Sequence, residues 1–223
     1  MTDSIDELIS QGVHHGESFR TGDALDCFTK ALQLDKNNLK AWSGAATAWQ
    51  NMAEHYRRSS NNEKVLEAAE HSEKCWNEVL QRNNSNIEAW FGKGSVILDY
   101  LGKAEDALNC FKKTLELDEN HLEAMMNMGI LLDNNNQIAD AMVCFKKALK
   151  LDDTNQPLWF NVGVTLAKQG INEEALDCFN KSIELNDVHV NSWLFKSKIL
   201  KILDRKNESE TCMMRYKELT DKN

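Results

Sequence analysis

The chain has no excess of positive charge: 26 lysines and arginines stand against 35 aspartates and glutamates, a formal net charge of −9 over 223 residues. Nucleic acid and anionic membranes select basic footprints, so neither is an expected partner. No apolar run approaches the roughly 20 residues that span a bilayer. The first ten residues, MTDSIDELIS, hold three acids and no apolar core, so no signal peptide is expected there. Also missing are CxxC and HxxxH spacings, phosphate-cradling glycine motifs, GxSxG and HExxH. Nothing therefore pairs a nucleophile with a base, and catalysis is not expected. With 42% apolar and 27% charged residues the composition is that of an ordinary globular chain.

What the chain does have is a period. Cys27, Cys75, Cys110, Cys144, Cys178 and Cys212 are separated by 48, 35, 34, 34 and 34 residues. Ala24, Ser72, Ala107, Ala141, Ala175 and Ser209 keep the same gaps, and Leu8, Trp42, Trp90, Met125, Trp159 and Trp193 step by 34, 48, 35, 34 and 34. Three residue classes obeying one period indicate internal repeats. Segments such as LNCFKKTLELD and MVCFKKALKLD place apolar residues at i, i+3, i+4 and i+7, as amphipathic helices do. The preceding segments repeat the pattern and stop at Gly102 and Gly170; Pro157, the only proline, falls near a helix start. Each period thus reads as two helices too weakly apolar to fold alone, so neighbouring pairs must stack.

This pattern resembles the tetratricopeptide repeat family over essentially the whole chain. The fourth repeat has Met125, Met128-Gly129, Leu132, Ala141, Phe145 and Ala148 at the family's marker places, and the fifth has Trp159, Val162-Gly163, Leu166, Ala175, Phe179 and Ser182. The resemblance implies an all-α fold, a right-handed α-solenoid of six helix-turn-helix repeats forming a single array over 1–223. The repeats run about 5–38, 39–86, 87–121, 122–155, 156–189 and 190–220. The family's closing proline is replaced by Lys36, Asn84, Glu119, Asp153 and Asp187, so these turns are expected to be less rigid.

Six cysteines with six histidines invite disulfide or zinc readings. Equivalent positions on successive helices lie about 10 Å apart, too far for an S–S bond or a shared ion. The cysteines therefore read as small fillers between helices, with no metal and no cofactor, and reduced thiols suggest a cytoplasmic setting. The six tryptophans fall at large-apolar repeat positions and read as core. The second repeat is 14 residues longer than 34, adding about two turns to each helix. Trp49, Met52, Ala53 and Tyr56, matched by Val65, Leu66 and Ala69, predict an elongated hairpin with its own small core. Its tip, with Arg57 and Arg58, is either a tolerated insertion or a contact surface for an acidic partner.

The resemblance further implies that first helices line a concave groove. Positions 2, 5, 6, 9, 12 and 13 of those helices share one face. Phe91, Met126, Phe160 and Leu194, with Ile130 and Val164, form an apolar strip there, open to a ligand or shielded by neighbouring helices. Asn127 and Asn161 offer amides that could pair with an extended backbone, as similar proteins do. Lys168, Lys198 and Lys201 add positive charge toward one end. No three consecutive repeats carry the lysine and asparagine clamp with which some family members hold chaperone tails. Two readings follow: a non-catalytic adaptor holding a protein or peptide partner in the groove, or a homo-oligomeric scaffold component associating through array ends or the long hairpin. The last helix, with Met213, Met214, Tyr216 and Leu219, could serve as its own cap.

Overall fold

The computed structural model describes residues 4–221. Among them all regular structure is helical: α1 (Ile5–Glu17), α2 (Thr21–Leu34), α3 (Leu39–Arg58), α4 (Asn62–Arg82), α5 (Ile87–Val96), α6 (Ala104–Leu117), α7 (Leu122–Asn134), α8 (Ile138–Leu151), α9 (Gln156–Lys168), α10 (Asn172–Leu185), α11 (Val190–Ile202) and α12 (Lys206–Thr220). Successive helices pair into six hairpins. The described residues form two compact units, one closing at Glu119 and the other opening at Asn120.

Short polar motifs set the helix limits. Asn38, Asn86 and Asn155 accept, through their side-chain oxygens, the backbone N–H groups of Ala41, Ala89 and Leu158, while Ser4 and Glu7 form a reciprocal capping box. Three residues before those asparagines, Asp35, Asn83 and Asp152 end α2, α4 and α8 and accept from the N–H two residues on. Inside the hairpins the turn passes once through left-handed backbone, at Phe19, Ser60, Gly102, Asn136, Gly170 and Asp204.

Four of the five turns expected to be loose for want of proline are tied instead. The indole N–H groups of Trp42, Trp90, Trp159 and Trp193 donate to the carbonyls of Lys36, Asn84, Asp153 and Asp187, at 2.7–2.9 Å. These four tryptophans are accordingly only half-buried. The expectation that all six are core holds fully for Trp76 (2% exposed), while Trp49 stacks on His71 with ring centroids 4.6 Å apart.

In the first, third, fourth and fifth hairpins a ring from the second helix fills space left by a glycine on the first. A Cβ on Gly129 would lie 2.5 Å from the Phe145 ring, and one on Gly163 would lie 2.8 Å from Phe179. Phe28 meets two such glycines, since a Cβ on Gly12 would lie 2.8 Å from its ring and one on Gly44 of α3 would lie 2.4 Å from it. Such approach requires the absent side chain, which is why large and small residues alternate at the same period.

The third repeat contains one residue more than 34, and the extra residue is absorbed where α5 runs into a π-helical turn, Ile97–Leu101, ended by Gly102 at φ 65°. Single insertions inside helices take this form. The turn delivers Tyr100 to the long second hairpin, where its hydroxyl donates to Glu54 at 3.4 Å and the Arg57 guanidinium lies 5.7 Å from its ring.

That hairpin has the predicted extra length, 20 and 21 residues against 10 to 15 in the other α-helices. Ala53, Val65, Ala68 and Ala69 are buried along it, but Leu66 is exposed. Arg57 and Arg58 both hold the Glu54 carboxylate, at 2.6 and 3.1 Å. Both guanidiniums are paired with this one carboxylate yet remain 60% and 77% exposed.

Candidate functional site

The face shared by positions 5, 6, 9, 12 and 13 emerges in the second unit as a cleft of about 340 Å³. Helix α7 contributes Ile130, Asp133 and Asn134; α9 contributes Phe160, Asn161, Val164, Thr165 and Lys168; α11 contributes Asn191 and Phe195; and Phe145 of α8 reaches the floor. Five of the expected residues therefore meet here: Ile130, Phe160, Asn161, Val164 and Lys168.

The others lie elsewhere. Met126, Asn127 and Leu194 are half-buried on α7 and α11, outside the walls of this cleft. Lys198 places its ammonium 4.8 Å from the Phe195 ring, and Lys201 is exposed on α11. Phe91 belongs to the first unit, where its ring centroid is 5.9 Å from that of Phe111.

Phe160 is itself packed. Its ring meets Phe195 edge-on at 5.4 Å, His189 edge-on at 5.1 Å and Phe179 at 5.9 Å, spacings at which aromatic pairs attract. Beside it runs a chain of hydrogen bonds: Gln156 donates to Ser182, whose hydroxyl lies 2.7 Å from that of Ser192, and His189 Nδ1 lies 2.6 Å from Ser192 Oγ. Burial disfavours the charged imidazole and moves the His189 pKa below its ordinary value.

Lys168 donates to Asp133 Oδ2 across the α7–α9 gap. Asp133 is 8% exposed and its Oδ1 is buried with no hydrogen-bond partner, so the lysine supplies the countercharge that such burial needs. The sequence pointed to Lys168 as free positive charge; the structure commits it to this carboxylate. Asp133, Asn191 and Phe195 were passed over, although positions 12, 2 and 6 belong to the same helical face.

A second concavity, about 580 Å³, lies in the first unit between α1 and α3 and was not anticipated. Its size comes from missing side chains: Gly12, Gly16 and Gly44 leave Phe28 as floor, with Ile9, Val13 and Leu39 as walls and Glu17, Lys40 and Glu88 at the margin. The signal in the sequence was three glycines on two neighbouring first helices.

All six cysteines are buried. Burial pushes the thiols of Cys75, Cys110 and Cys178 up to about 11. A thiol so far from ionising is a poor nucleophile and ligand at neutral pH. No group of three or more His, Cys, Asp or Glu able to hold a metal occurs among the described residues. Both concavities offer apolar walls with scattered amides and charges, which suits binding.

These hairpins and clefts define a helical-repeat protein. Sequence profiles of the tetratricopeptide repeat match residues 87–121 and 122–155, and a second such profile matches 144–177. Residues 87–177 are thus matched as tetratricopeptide repeats. Curated protein sequences yield no match. Among solved structures it is similar to PilF of Pseudomonas aeruginosa, with TM-score 0.75 and 15% identity over 98% of this chain and 97% of that one. It is also similar to PilW, described as a widely conserved type IV pilus biogenesis factor, with TM-score 0.73 and 19% identity over 95% and 91%. A third, YrrB, described as having an unusual peptide-binding site, gives TM-score 0.65 and 23% identity over 85% and 90%. At these identities the likeness is one of fold. No enzymatic family is indicated. No helix of the described residues is long and apolar enough to cross a membrane.

Proposed function

We propose that the chain is a non-catalytic adaptor and that the α7–α9–α11 cleft seats a segment of a partner polypeptide. The observation that carries this reading is the convergence of Ile130, Phe160, Val164 and Phe195 with the amides of Asn134, Asn161 and Asn191 in one open concavity. The apolar walls supply burial at about 25 cal/mol per Å², before ordering costs. The amides, each donor and acceptor, fix the register of an extended backbone. Met126, Asn127 and Leu194 would extend the contact along α7 and α11, and Lys198 and Lys201 would favour an acidic flank.

The period, regular apart from the long second repeat and one extra residue in the third, supports six repeats in one series over 1–223. The family's use as an interaction module and the peptide site named for YrrB point the same way. Six buried thiols support a reducing, cytoplasmic setting.

Peptides selected on the wild-type chain from a random display library test the reading. The double variant Phe160→Ala, Asn161→Ala is expected to bind them at least tenfold more weakly while keeping its helical circular dichroism, because hot spots concentrate binding energy in few side chains. Equal binding by both proteins would remove this cleft from the function.

A further inference from the structure

Asp133 lines the α7–α9–α11 cleft at 8% exposure, yet its Oδ1 is buried and has no hydrogen-bond partner among the described residues. The other oxygen, Oδ2, accepts from the Lys168 ammonium. A carboxylate offers several lone pairs and an ammonium three N–H donors, so a single bond between them leaves both with capacity to spare. Folded proteins rarely keep a buried carboxylate oxygen unpaired, because the missing bond is costly, and more so for a charged group. Such an acceptor in the wall of an open cleft points to a donor that arrives from outside the chain.

The rest of the lining restricts what that donor can be. Asp133 is the one acid and Lys168 the one base among the residues that form the cleft, and their charges cancel. Lys198 adds a further positive charge 4.8 Å from the Phe195 ring. A cationic side chain entering here meets like charge at Lys168, and a carboxylate meets like charge at Asp133. An aliphatic side chain strips water from the ion pair and returns no bond. The remaining choice is a neutral group that both donates and accepts. A backbone peptide does so, but Oδ1 lies below the cleft surface, where an extended backbone is kept from descending by its own flanking side chains. Serine and threonine hydroxyls sit on stems too short to follow. A primary carboxamide on a long unbranched stem can.

We propose that the cleft selects a glutamine side chain on the partner segment, its amide N–H donating to Asp133 Oδ1 and its carbonyl accepting from Lys168. This rests on the reading of the cleft as a peptide site and names what that site recognises. Asn134, Asn161 and Asn191 remain for the backbone, while the glutamine completes the two groups that the fold pairs only with each other.

Peptides selected on the wild-type full chain from a random display library are expected to share a glutamine at one fixed position. Exchanging it for methionine keeps the length and removes the amide, and should weaken binding about tenfold or more. Exchange for glutamate should cost at least as much, since it sets carboxylate against carboxylate. In the double variant Asp133→Leu, Lys168→Met the pair gives way to apolar groups of similar size, a change that buried ion pairs often tolerate. Its helical circular dichroism should match wild type, and the preference should invert, with the methionine peptide binding more tightly than the glutamine one. Peptides that lose affinity for the Phe160→Ala, Asn161→Ala protein but share no glutamine overturn this inference and leave the adaptor reading standing. So does an unchanged preference for glutamine in the double variant. Peptides that bind the Phe160→Ala, Asn161→Ala protein as well as wild type end both.

Discussion

Trp159 donates its indole N–H to the carbonyl oxygen of Asp153 at 2.7 Å, closing a six-residue loop between α8 and α9. Asp153 stands where the family's proline would be. A side chain on the next helix thus supplies the restraint that a pyrrolidine ring would otherwise impose on the turn. The same bond recurs from Trp42, Trp90 and Trp193, and the fourth repeat, with Met125 at that place, has no indole to form it.

Trp159→Phe keeps an aromatic ring on α9 and removes only the donor. The expected loss is about 1 kcal/mol of stability, the net worth of one such bond. Urea denaturation measures it, and a midpoint equal to that of wild type would show that the indole bond does not restrain the turn.

Two glycines should respond to alanine with opposite signs. Gly129→Ala places a methyl group 2.5 Å from the Phe145 ring, and pushing that ring from its socket should cost about 1–3 kcal/mol. Gly16→Ala meets open space within α1 and should stabilise by about 0.5–1 kcal/mol through helix propensity. Thermal melts read both; a common direction of change would contradict the packing described.

The cysteines should be silent until the chain opens. With Cys178 pushed up to about 11 and shielded by neighbouring helices, Ellman's reagent at pH 8 is expected to react slowly with the native protein and to find all six thiols after denaturation. Several thiols reacting at once in native buffer would mean that the second helices are far more open than their burial indicates.

His189 gives the protein a pH-dependent component of stability. Its folded pKa is depressed by burial, so the unfolded chain binds the proton first as pH falls. This contribution is intact above the unfolded value near 6.5 and is lost as pH drops through 6.5 toward the lower folded value. The melting temperature should decline between about pH 7 and pH 5, less so in His189→Gln. An identical decline in that variant would assign the effect to other groups.

Much of the scaffold could be read from one dimension. The spacing of Cys27 through Cys212 located every second helix, and the 14 surplus residues located the long hairpin, because helical burial recurs with a fixed geometry. The single extra residue of the third repeat was visible as a gap of 35, yet nothing local said that it would become a π turn carrying Tyr100 to Glu54. Phe160, Asn161 and Val164 were reached by helical position. Asp133 and Lys168, 35 residues apart, were not linked, since their meeting depends on how α7 packs against α9.

Taken alone, the order of residues determined the helices, their pairing and the family resemblance, because periodic apolar faces and caps act over short distances and leave a periodic trace. Only the tertiary structure decided which polar groups are spent inside the chain and which surfaces stay open. It tied Arg57 and Arg58 to Glu54, gave Lys168 to Asp133, opened a trough over Phe28 and left Phe19 bare. Those outcomes depend on contacts between helices distant in sequence, whose energies are set by packing and desolvation and so have no signature in any single segment.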